Sequence, residues 1–303
     1  MEDSTRGREL LASLSSQMAD AVERVGPALV LVNGRQRLPG SGLVYASDMV
    51  LTADHVLERE EDLTVVTHDQ RTLSARLVGR DSATDLAALQ VAGLGLAPAS
   101  PAAEPARVGQ LVLAVGRPSN EGPMASLGIV SAVGGPLRTG RGAMLERYVR
   151  TDATPYPGFS GGPLVDTQGG VLGVLTTGLV PGVALSVPAA IAWRIADTLA
   201  RHGQVRRGYL GISTQPVPLP VGQRGGRAQE RGLLIVRVQE GSPAERAGLL
   251  LGDVVVALDG QPVTDPDRLQ TLLTGDRVGT QSQVEVIRGG ELKTLPVTIG
   301  QRG

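Results

Sequence analysis

The 303-residue chain contains no cysteine. That removes disulfide frameworks, thiolate zinc sites and a cysteine nucleophile at once. Aromatics make up only 2%, with a single Phe and a single Trp, so any core must be aliphatic. Bases and acids nearly cancel, 29 against 30, leaving a net charge of −1. Bulk basic attraction to nucleic acid is therefore not expected. Long hydrophobic runs are missing too, and a membrane-spanning helix needs about 18 consecutive apolar residues. The start, Met1 to Glu9, is polar and leads into a short, interrupted apolar stretch rather than the about 7–15 apolar residues of a signal peptide. On these residues alone the chain as given is expected in the cytoplasm, although the absence of cysteine suits either redox compartment.

What the chain does have is glycine, 41 residues without a collagen-like period, which indicates many turns. Apolar residues from Leu10 to Val25 follow helical spacing, and Gly26-Pro27 ends that helix. Short aliphatic runs follow, among them Ala28–Val32, Leu63–Thr67, Leu73–Val78, Leu111–Val115 and Val171–Leu175. Turn signals about every ten residues between such runs indicate an all-β sandwich or barrel. A helix over Ala190–His202 repeats Ile191, Ile195 and Leu199, with Gly203 as its C-cap. The expected organisation is a helical segment 1–26, a β-rich unit 27–200, a linker 201–207 and a mixed α/β unit 208–303. In the last unit, Ser242-Pro-Ala-Glu245 forms a capping box closed by Gly248. Asp265-Pro266 opens a second helix, and strands fall at Leu233–Val238, Val254–Leu258 and Val284–Ile287. The Pro-, Gly- and Arg-rich stretch Ser213–Gly232 reads as a mobile loop.

Three segments carry chemistry: Val50-Leu-Thr-Ala-Asp-His55-Val, Gly79-Arg-Asp-Ser-Ala-Thr-Asp85 and Gly158-Phe-Ser160-Gly-Gly-Pro163. Their order is His, Asp, Ser, as in chymotrypsin-type proteases. A serine hydroxyl is a weak nucleophile and needs a base within hydrogen-bond reach. Imidazole suits that role, and a buried carboxylate fixes its tautomer. Glycines around Ser160 let backbone N–H groups turn toward a developing oxyanion. Each segment alone has a bland reading as core, cap or hairpin; all three in this order point to nucleophilic catalysis. His68 lies in a polar turn and His202 at a helix end, and no His, Asp or Glu pair has metal-ligand spacing.

The stretches LTADHV, GRDSATDLAALQV, GIVSAVG, TDATPYPGFSGGPLVDTQGGVLGV, GYLGI and GSPAERAGLLLGDVVVALDGQPV resemble the HtrA (Deg) family. These are trypsin-like serine proteases with a C-terminal PDZ domain, and the likeness runs from about Leu43 to Ile299. The resemblance implies a mostly β fold: a double β-barrel, chymotrypsin-like protease domain followed by a mixed α/β PDZ domain. It also implies that His55 is the general base, Asp85 its orienting partner and Ser160 the nucleophile. The N–H groups of Gly158 and Ser160 would form the oxyanion hole. The substrate pocket would have its floor at Thr154 and its wall at Val183, Ala184, Leu185 and Ser186, none of them charged. Tyr209, Leu210, Gly211 and Ile212 resemble the loop that receives a peptide carboxylate. Leu210, Ile212, Leu269 and Leu273 would hold the ligand's last side chain.

The implied activity is endopeptidase cleavage of unfolded or misfolded polypeptides, without cofactor or metal. The implied partners are those substrates and peptide C-termini, with a homotrimer as a further family trait. Most relatives meet misfolded proteins in the cell envelope, so periplasm stands as the alternative to the cytoplasm. Departures include Phe159 where the family usually has Asn, Asp54 beside the candidate base, a short Gly40–Leu51 segment, and no aromatic residues in the N-terminal segment of the kind that support trimers. Phe159 leaves two readings, a ring that biases the oxyanion-hole peptide or one that is simply packed. The competing function is a catalytically weak or inactive peptide-binding chaperone. A PDZ-switched cytosolic protease is compatible with the leading reading.

Overall fold

A computed structural model describes residues 2–139, 144–180, 182–205, 208–224, 227–273 and 277–301. The chain divides into two units, 1–205 and 206–303. Helix α1 (Glu2–Val25) begins earlier than the apolar spacing predicted. Its Ala21 and Val25 join the core of the first barrel, while Leu10 and Leu11 remain exposed. Strands β1 (Leu29–Asn33), β2 (Gly40–Ala46), β3 (Met49–Ala53), β4 (Leu63–Val66), β5 (Thr72–Asp81) and β6 (Leu86–Gln90) close a barrel ordered β1-β2-β3-β6-β5-β4. With no aromatics to fill it, the interior is built from Val, Leu and Ala, including Leu29, Val44, Val50, Ala87 and Leu89.

The second barrel uses β7 (Leu111–Ser119) and β8 (Gly122–Gly134) at its start. A two-stranded ladder of β9 (Leu137–Arg138) and β10 (Met144–Leu145) interrupts the run. Then come β11 (Tyr148–Thr151), β12 (Pro163–Val165), β13 (Val171–Val180) and β14 (Val183–Pro188), closing in the order β11-β14-β13-β12-β7-β8. Strand β7 packs on β1 and β2, joining the two barrels. Helix α2 (Ala189–His202) lies against β5, β6, β13 and β14. Ile191, Ile195 and Leu199 form its buried stripe, and Gly203 caps it in the left-handed conformation. The expected linker therefore loses Arg201 and His202 to the helix, whose apolar stripe outweighs their polarity. Arg206 and Arg207 of that linker lie outside the described residues.

In the second unit β15 (Gly208–Tyr209) pairs with β22 (Gly300–Gln301). The main sheet runs β16 (Ile212–Pro218), β17 (Arg231–Val238), β18 (Val254–Leu258), β20 (Gln281–Arg288) and β21 (Glu291–Thr298), with β19 (Gln261–Pro262) beside β18. Helices α3 (Pro243–Arg246) and α4 (Pro266–Leu273) complete it. The Ser242 side chain accepts the Glu245 N–H, as the capping box predicts. The mobile loop expected at Ser213–Gly232 is a correction: its first third is strand β16. Prolines signal loops in sequence, but an edge strand tolerates them where the missing N–H faces outward.

Candidate active site

Strand pairing brings the first two candidate residues together. Strands β3 and β6 are antiparallel, with Ala53 opposite Leu86. His55 follows β3 in a single 3₁₀ turn, and Asp85 immediately precedes β6. The Asp54 N–H donates to the Asp85 carbonyl at 3.0 Å, locking the two ends side by side. Asp85 adopts a left-handed backbone (φ 55°), a conformation aspartate tolerates better than most residues. Its buried carboxylate accepts from the His55 backbone N–H at 3.0 Å and from Nδ1 of the ring at 2.6 Å. The Thr176 hydroxyl donates to the same carboxylate. Because a carboxylate accepts, Nδ1 carries the ring proton and Nε2 is left as the lone-pair nitrogen.

Ser160 sits in the turn before β12, with its carbonyl held by the Ser41 N–H at 3.0 Å. Its Oγ shares a 3.3 Å hydrogen bond with Thr177 Oγ1, and no hydrogen bond joins it to His55 in this structure. Catalytic hydrogen bonds are often long before substrate binds. Gly158 has φ +89°, a conformation that strains any side chain. Its carbonyl accepts from Ser41 Oγ at 2.7 Å, and the Phe159 N–H donates to the Tyr156 carbonyl at 3.0 Å. The peptide between Gly158 and Phe159 is thus tied at both ends. Among the described residues no acceptor faces the N–H of Gly158 or Ser160. Two unsatisfied donors beside a serine hydroxyl suit an incoming oxyanion.

Phe159 is fully buried in the second barrel, edge-on to Tyr156 with ring centroids 5.4 Å apart. Its ring fills the space beside Gly116, whose absent Cβ would lie 2.5 Å from it. This favours the packing reading. The Asp54 carboxylate has partners of its own: Ser82 Oγ donates to it at 2.7 Å and Arg80 approaches at 3.4 Å. Its charge is therefore compensated.

An open cavity of about 440 Å³ is lined by Thr154, Val183 and Ala184, together with Thr177. Leu185 and Ser186 do not reach it. Both are buried in β14, Leu185 opposite Arg150 and Ser186 opposite Val149, because strand alternation and closure of the barrel cover them on both faces. The cavity is not free of charge either, since Arg150 and Asp152 line it as well.

In the second unit Leu210, Leu269 and Leu273 are buried together in the core, and Ile212 is the partly exposed member of the four. Gly211 has φ +84°, and a Cβ there would lie 2.2 Å from Ser242 Cβ. Tyr209 donates its hydroxyl to Gln239. Among the described residues no acceptor faces the N–H of Leu210 or Gly211. His68 and His202 are exposed, and no cluster of metal-ligating side chains forms among the described residues.

Sequence reasoning missed Ser41, Thr176 and Gly178. A Cβ on Gly178 would meet Asp85 Oδ2 at 2.5 Å and His55 Nδ1 at 2.7 Å. None of the three stands out in the sequence, because each acts only through a partner far away in the chain.

The trypsin-like peptidase domain family matches residues 40–174, and the PDZ domain family matches 208–299. A probable periplasmic serine endoprotease DegP-like of Rhizobium meliloti (strain 1021) is 37% identical, over 88% of this chain and 54% of its own length. Its counterpart in Ectopseudomonas mendocina (strain ymp) is 34% identical, over 88% and 58%. The chain thus spans about half the length of the curated relatives it matches. Among solved structures, the serine endoprotease from Yersinia pestis is 30% identical with a TM-score of 0.78, covering 94% of this chain and 98% of that one. The HtrA-type protease AlgW with tripeptide is 30% identical with a TM-score of 0.81, over 94% and 97%. Two barrels with His55, Asp85 and Ser160 at their junction, a PDZ domain after them, and relatives of this kind along nearly the whole chain place it in the HtrA family of trypsin-like serine proteases.

Proposed function

We propose that this chain is a serine endopeptidase that hydrolyses peptide bonds in unfolded or misfolded polypeptides. The observation that carries the reading is the 2.6 Å bond between His55 Nδ1 and Asp85, with the N–H groups of Gly158 and Ser160 left without an acceptor among the described residues. In the reaction Ser160 Oγ turns from Thr177 toward His55 Nε2 and attacks the substrate carbonyl. His55 takes the hydroxyl proton and later delivers it to the leaving amine, while Asp85 holds the imidazolium that forms. The Gly158 and Ser160 N–H groups receive the oxyanion, each donor contributing about 10²–10³ in rate. Thr154, Val183 and Ala184 form the pocket for the side chain on the acyl side, which favours a small or medium apolar residue.

The PDZ unit binds peptide C-termini at Tyr209–Ile212, where the N–H groups of Leu210 and Gly211 meet the carboxylate. The compartment is the cell envelope, as the names of the periplasmic relatives suggest, rather than the cytoplasm expected from the N-terminal residues. Labelling with a fluorophosphonate probe tests the enzymatic reading: wild type is labelled and Ser160→Ala is not. Equal labelling of both proteins overturns it.

A further inference from the structure

Strand β16 is the outer strand of its sheet, and no described strand pairs with its other edge. The direction of each backbone group on it can be read. The Leu219 N–H donates to the Glu230 carbonyl at 2.8 Å, just past the end of β16. The Gly211 carbonyl accepts from the Gln239 N–H at 2.8 Å, just before its start. Odd-numbered residues therefore direct their N–H and C=O toward β17, and even-numbered residues direct theirs outward. The outward set is Ile212, Thr214, Pro216 and Pro218. The last two have no N–H to offer.

We propose that this edge reads roughly the last three residues of a free polypeptide C-terminus and nothing beyond them. The inference rests on the peptide-binding reading above. With the carboxylate at Leu210 and Gly211, the ligand's last residue lies against the Ile212 carbonyl. Its third-from-last residue exchanges both backbone bonds with Thr214. The fifth-from-last falls opposite Pro216, where the donor is missing and a ring carbon occupies the space its carbonyl needs. Pro218 repeats the block one pair further. The prolines also keep the edge from adding a strand of another chain along its length.

The test is calorimetry on the full chain carrying Ser160→Ala, so that peptides are not cleaved. The probes are acetylated tripeptide pools ending in Val, Leu, Ile or Phe with a free carboxylate, and the same sequences extended to heptapeptides with alanine. The expected result is dissociation constants that agree within about twofold. Pro216→Thr restores one outward donor and should tighten the heptapeptides about fivefold, one hydrogen bond's worth, leaving the tripeptides unchanged. Pro216→Ala restores the same N–H and serves if Thr disturbs the strand. Heptapeptides binding tenfold tighter than tripeptides to the unaltered edge overturn the length limit while leaving peptide binding intact. A variant that tightens both lengths equally also overturns it. No binding by any peptide in either pool overturns the peptide-binding reading itself.

Discussion

Ser41→Ala removes one hydroxyl that ties the nucleophile loop to both barrels. Ser41 lies on β2 of the first barrel and is fully buried. Its Oγ donates to the Gly158 carbonyl at 2.7 Å and accepts from the Arg117 N–H of β7 at 2.8 Å. Its backbone bonds, to Ser160 at 3.0 Å and from Thr52 Oγ1 at 2.7 Å, survive the substitution. Two buried backbone groups are left without partners, each costing about 1–3 kcal/mol. A stability loss of about 2–6 kcal/mol follows, which lowers Tm by about 4 °C or more for a unit of this size, at about 2–4 °C per kcal/mol. The activity effect has a different origin. Gly158 tolerates either sign of φ, so the Ser41 bond supplies part of its orientational preference. Losing about 1 kcal/mol of that preference lowers kcat about fivefold. Fluorogenic peptide kinetics and differential scanning fluorimetry read the two effects separately. An unchanged Tm together with kcat within about twofold of wild type would refute the role given to Ser41.

Gly178→Ala places a methyl 2.5 Å from Asp85 Oδ2 and 2.7 Å from His55 Nδ1. It should lower kcat/KM by about 10²-fold, the usual effect of displacing a catalytic pair by about 1 Å; steady-state kinetics on the folded variant check this. Phe159→Asn empties a fully buried site and should cost about 3–5 kcal/mol in chemical denaturation; an equally stable variant with a faster basal rate would instead support a gating ring. Arg117 is buried, with no acceptor for its Nε among the described residues, and burial pulls its guanidinium below the usual range. Arg117→Met should therefore hold or raise Tm, since buried charge is often replaced by apolar volume at no loss; a marked fall in Tm counts against this. In a peptide library the uncharged side of the cavity, at Thr154, Val183 and Ala184, should select small or medium apolar side chains; a preference for Lys or Arg would show that the side chain lies against Asp152 instead and refute that assignment.

Much of the protein is legible from local signals. Helix caps at Gly203 and Ser242 and the aliphatic strands are set by residues close in sequence, and the structure places them as expected. His55 and Asp85 were identifiable because the chemistry demands those side chains. Their meeting depends on the β3–β6 register, which Ala53 opposite Leu86 fixes. What tertiary structure alone decided concerns partners distant in the chain. Leu185 and Ser186 are hidden because closing a barrel covers strand faces that a linear reading leaves open. Ser41 and Thr176 gain their roles only when their strands bring hydroxyls to Gly158 and Asp85. Pro216 and Pro218 read as loop signals until the hydrogen bond from Leu219 to Glu230 shows which way the strand faces. A proline removes an N–H wherever it stands; only the fold determines whether that N–H would have met a neighbour strand or open solvent.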